Sequence, residues 1–91
     1  MTIYKILSSL SMDLHRVAMG YNRGSEKMAE RFAQEAQKRI DEIDKKMASA
    51  ELADALKKCT ALLHSTETKS NSSQLLFYSV YFQNEALKHK E

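Results

Sequence analysis

Apolar residues recur along the first twenty positions at steps of three and four. Ile3, Ile6, Leu7, Leu10, Leu14, Val17 and Tyr21 fall on one stripe at ~100° per residue, and this predicts an amphipathic helix over about 3–19. Gly20 and Gly24 bracket a polar Tyr21-Asn22-Arg23 turn; a glycine just past a helix is a frequent stop because no Cβ opposes positive φ. A second segment opens on Ser25, whose hydroxyl can accept from free amides of the next turn. Glu26 and Glu30 put negative charge near the positive end of the helix dipole. Met28, Phe32, Ala36, Ile40, Ile43 and Met47 then form a stripe, with pairs Glu35–Arg39, Asp41–Lys45 and Glu42–Lys46 at i,i+4 on the opposite face. The pattern predicts a long helix over 25–48.

Leu52, Leu56, Cys59 and Leu63 make a good stripe of their own, but Met47 to Leu52 is a step of five. On one straight helix the two stripes would differ by ~140°. Either the chain turns a corner near Ala48–Ala50, with Ser49 as a fresh N-cap, or one long helix buries different faces in its halves. The absence of Gly and Pro keeps the second arrangement open; the phase break favours the corner and a third helix over 50–64. The run from His64 to Ser73 is rich in Ser, Thr and Asn, whose side chains compete with helix for the backbone; a flexible polar loop is expected over 65–72. In the last segment Leu75, Leu76, Phe77, Tyr78, Val80, Tyr81 and Phe82 are apolar almost without gaps. Such a run has β propensity, but nothing else in the chain supplies a partner strand. Lys88 and Lys90 suit a helix C-terminus, so a fourth helix is expected over 73–89. The fold class is all-α: a small antiparallel bundle of about four helices, one domain over 1–91.

Composition narrows the function more than it names it. Lys plus Arg number 14 against 12 for Asp plus Glu, a net charge of +2, too small and too dispersed for a nucleic-acid module. The single Cys59 excludes an intrachain disulfide framework. No segment reaches the ~20 apolar residues of a membrane span, and the apolar N-terminus is interrupted by Asp13, His15 and Arg16, unlike a signal peptide. A cytoplasmic location is the expectation.

Catalytic and cofactor motifs are absent. There is no glycine-rich phosphate loop, no Cys pair for zinc and no Glu-x-x-His repeat for a dimetal site. Cys59 and His64 are five apart and diverge by ~140° on a helix, and Cys59 sits on an apolar stripe as a small core residue. Glu85 and His89 could share one helix face, yet a terminal His between two lysines reads first as a solvated end. No catalytic residue, metal or cofactor is assigned.

Apolar surface is the remaining signal. A chain of this size buries only about 60–65% of its extended surface, and a last helix that is apolar all round has residues to spare once one face is docked. Met12 and Met19 lie off the main stripe of the first helix, opposite Leu10 and Leu14. Together with Leu76, Phe77, Val80 and Tyr81 they form a candidate partner interface. The leading expectation is a non-enzymatic protein-interaction or adaptor protein, self-associating as a homodimer or holding another protein. A membrane-surface or peptide-shielding bundle, of the immunity-protein kind in architecture only, is the alternative. A small ligand- or metal-binding bundle assembled from His15, Cys59, His64 and Glu85 ranks third.

Overall fold

The computed structural model describes residues 2–43, 46, 48–65 and 71–90. Four α-helices follow one another: α1 (Ile3–Asn22), α2 (Glu26–Glu42), α3 (Ala50–Leu63) and α4 (Ser72–Lys88). Among the described residues there is no strand, so the aromatic run near the C-terminus is helical. Neighbours in sequence run antiparallel. Gly20, late in α1, meets Ala29, early in α2. His64, at the end of α3, reaches back 3.2 Å to Gln37 of α2. Asn22 accepts from Ser72 at 3.3 Å while Ser11 meets Ser79, so α4 runs antiparallel to α1. α1 packs closely on both α2 and α4, whereas α3 touches α2 and α4 lightly.

α1 is three residues longer than the two glycines suggest. Gly20 is not a stop but a point of close approach: a Cβ there would stand 2.8 Å from the amide nitrogen of Ala29. The turn sits at Gly24, whose φ of 76° needs a residue without a Cβ clash. Two bonds close the end of α1 around it, Gly24 N–H to the Tyr21 carbonyl at 3.1 Å and Ser25 N–H to the Gly20 carbonyl at 2.8 Å, the pair expected of a left-handed C-terminal cap. Ser25 then caps α2 by accepting from Met28 N–H at 3.4 Å.

The second helix ends at Glu42 rather than 48. Ile43 leaves the helix for an extended conformation and is buried in the core. Burial of one branched side chain thus outweighs continued helix, and no Gly or Pro announces it. Residues 25–64 are therefore two helices, and Ser49 accepts from Leu52 N–H at 3.1 Å as the N-cap of α3. The expected stripe residue Met47, the partner Lys45 and positions 66–70 of the expected loop lie outside the described residues. Two ion pairs on α2 close at i,i+3, Lys38–Glu35 at 3.4 Å and Arg39–Glu42 at 3.3 Å, so Arg39 pairs with Glu42 and Glu35 with Lys38.

Leu7, Leu10, Leu14 and Val17 of α1 are fully buried and meet Phe82, Leu75 and Ala86 of α4, Leu52, Leu56 and Cys59 of α3, and Ala29 and Ala36 of α2 in one core. Each such large aliphatic chain contributes about 1.5–3 kcal/mol on burial. α2 contributes alanines where α4 contributes a phenylalanine, so α1 and α2 approach closely along small side chains.

Candidate contact surface

α4 resolves its surplus of apolar residues by splitting them. Leu75, Phe82 and Ala86, with Ser79 between them, face α1 and the core. Phe77, Val80 and Leu87 are left 64%, 57% and 56% exposed, on an arc that steps by three and seven along the helix. The remaining rings form an edge-to-face ladder along α4: Phe77 on Tyr78 at 5.3 Å and Tyr81 on Phe82 at 5.3 Å between centroids, with Tyr78 stacked on Phe82 at 6.0 Å. Such pairs each contribute about 0.5–1.5 kcal/mol beyond area burial.

Of the six residues expected at the interface, Met12, Phe77 and Val80 are exposed, while Met19, Leu76 and Tyr81 are half-buried. Tyr81 leans inward. Its hydroxyl is buried without a hydrogen-bond partner among the described residues, and burial, followed by the nearby Glu85 and Glu51 carboxylates, pushes its pKa above the usual tyrosine value. Leu87, at seven residues from Val80, belongs to the exposed set although the aromatic run draws attention away from it.

Met12 and Leu87 share a trench between α1 and α4. Its floor is Ser11, Ser79 and Ala86, all buried, beside half-buried Ser8 and Tyr4; Met12, His15, Gln83 and Leu87 stand exposed on its sides. The depression encloses about 420 Å³. It exists because the floor is made of small residues. Ser11 Oγ donates to the Ser79 carbonyl at 2.6 Å, and Ser79 Oγ donates to the Ser11 carbonyl at 2.9 Å. This reciprocal pair satisfies both buried hydroxyls and pins α1 against α4 in one register. Nothing in the sequence spacing marks two serines 68 positions apart as partners.

The four residues considered for a ligand or metal site are dispersed. His15 stands on the trench wall, Cys59 is in the core, His64 bonds Gln37, and Glu85 is buried against Lys88 at 2.9 Å. Burial pushes the Cys59 thiol up to about 12, which keeps it protonated and unreactive. Among the described residues no group of three or more His, Cys, Asp and Glu is placed to hold a metal ion. No described helix is long and apolar enough to cross a membrane. Compared with protein-family models, with curated proteins and with solved structures, the chain matches none.

Proposed function

We propose that this chain is a non-enzymatic interaction protein that receives a partner protein on the face formed by α4 and α1. One observation carries the reading. Four large apolar side chains, Met12, Phe77, Val80 and Leu87, are each more than half exposed on the two helices that are packed most firmly together. Apolar residues scattered singly need no explanation, but a group on one rigid layer is the usual mark of a contact site. A second copy of the chain is one partner that solution mass reads directly: a two-fold pairing would cover the apolar patch on both subunits, at the cost of bringing like charges together.

The test is solution mass by light scattering, on the wild-type chain and on Phe77→Glu with Val80→Glu. The reading expects a complex, with itself or with a co-purified protein, that the double variant loses while its circular dichroism is unchanged. A monomer at high concentration, binding nothing and indistinguishable from the variant, overturns it. Peripheral membrane contact is a second reading, favoured by exposed cations beside the same apolar residues; flotation with vesicles tests it.

A further inference from the structure

The surface of α1 and α4 carries cations and no exposed carboxylate. Between them these helices hold two acids, Asp13 and Glu85, and both are withdrawn: they are 7% and 9% exposed. Arg16 lies 3.5 Å from Asp13, and Lys88 lies 2.9 Å from Glu85. In each pair the acid is covered; Lys88 remains largely in solvent, while Arg16 is half-buried with its guanidinium over the Phe32 ring at 5.2 Å. Lys5 and Lys90 are exposed as well. The exposed acids of the described chain lie on α2 and α3, among them Glu26, Glu30, Glu51 and Asp54. α1 and α4 carry Lys5, Arg16 and Lys88 against Asp13 and Glu85, a net of +1, but because both acids are covered the charge this layer presents to solvent is cationic.

Shape adds to charge. From Tyr4 to Arg16 the α1 wall of the trench rises ~18 Å, or about three helical turns. A concave channel of that length fits a rod and leaves a gap beneath a flat bilayer. A second copy docked two-fold on this face would set cation against cation, which opposes pairing. Resting on the reading that this face receives a protein, we infer that the trench binds an acidic amphipathic α-helix of a partner protein. The apolar stripe of that helix seats between Met12 and Leu87, the helix-in-groove mode of recognition. Its flanking Asp and Glu face Lys5, Arg16 and Lys90.

The experiment titrates the full chain into two labelled synthetic helices of about 18 residues, identical in their leucine stripe and flanked by Glu in one and Lys in the other, with fluorescence anisotropy as readout. Expected is saturable binding of the Glu helix, weakening as salt rises, and at least about tenfold weaker binding of the Lys helix. Lys5→Glu combined with Lys90→Glu, both exposed positions, weakens the Glu helix by about tenfold. Leu87→Asp and, separately, Met12→Asp abolish binding while circular dichroism reports an intact fold. Equal binding of the two helices, or binding indifferent to both trench variants, overturns the inference. If neither helix binds but light scattering shows a dimer that Leu87→Asp disperses, the acidic-helix inference falls and the partner reading stands. If only phosphatidylglycerol vesicles bind the chain, both fall.

Discussion

The α1–α4 pair and the α2–α3 pair use opposite means to stay in the same bundle. α1 and α4 are joined by fully buried large chains, Leu7, Leu10 and Leu14 against Phe82 and Leu75, and by a closed serine pair. α2 and α3 meet lightly, and their outer faces are laced with exposed ion pairs such as Lys38–Glu35 and Lys58–Asp54 at 3.0 Å. Surface pairs of that kind contribute little, about 0–1 kcal/mol. The firmer pair is nonetheless the one that leaves large apolar residues in water. Rigidity and exposed apolar surface on the same layer is what a preformed docking face requires, because little ordering is left to be done on binding.

The sharpest way to break this contrast is to empty the firmer side. Phe82→Ala should cost about 3–5 kcal/mol in urea unfolding, since the ring is fully buried against α1 and the Tyr78 and Tyr81 rings. Leu56→Ala on α3, 7% exposed in the looser pair, should fall at the low end of about 2–5 kcal/mol. A larger loss at Leu56 than at Phe82 would reverse the ranking of the two pairs.

Gly20→Ala probes the third contact, between α1 and α2. Alanine favours helix over glycine by about 1 kcal/mol, yet its Cβ would press on the Ala29 backbone at 2.8 Å. The overpacking term of about 1–3 kcal/mol wins, and thermal unfolding should show a net loss. A gain in stability would mean that the two helices part easily there.

Ser11→Ala and Ser79→Ala should each cost about 1 kcal/mol, and the double variant should cost less than their sum, because the hydroxyls act on each other's helix. Strict additivity in the double-mutant cycle would deny the serines a shared role in setting the α1–α4 register.

The smallest effect concerns the acid limb of the pH profile. Burial, opposed by Arg16 and Arg39, holds the Asp13 carboxyl above its ordinary 3.8. The folded chain then keeps a proton that the unfolded chain releases, so this group's contribution is full below pH 3.8 and is lost as pH rises through the folded value. Asp13→Asn should flatten that part of the curve in urea titrations from about pH 3 to 6; an unchanged slope would show that solvent reaches the carboxyl.

Much of the local structure could be read from the chain. Ser25 and Ser49 were legible as caps because a hydroxyl before a helical stripe has one dominant use, and both accept as expected. The break at the five-residue step was legible too, but its place was not. Ile43 ends α2 by dropping into a core that forms only when α3 arrives. Gly20 misled for a related reason: a glycine that ends a helix and one that admits a neighbour look alike until the neighbour is present. Of the apolar residues singled out on α1 and α4, Met12, Phe77 and Val80 are exposed, whereas Tyr81 is drawn inward with its hydroxyl buried, which spacing alone does not reveal.

By itself the sequence determined the all-α class, the four helices, the N-caps of α2 and α3 and the excess of apolar residues at the C-terminal end. These follow from periodicity and from bonds that span a few residues, so each stretch of chain carries its own instructions. Only the tertiary structure decided which apolar residues stay in water, that Ser11 meets Ser79, and that both acids of α1 and α4 turn inward. Those outcomes depend on which faces of distant helices come together, and a helix with apolar residues on every side does not say which face will be covered.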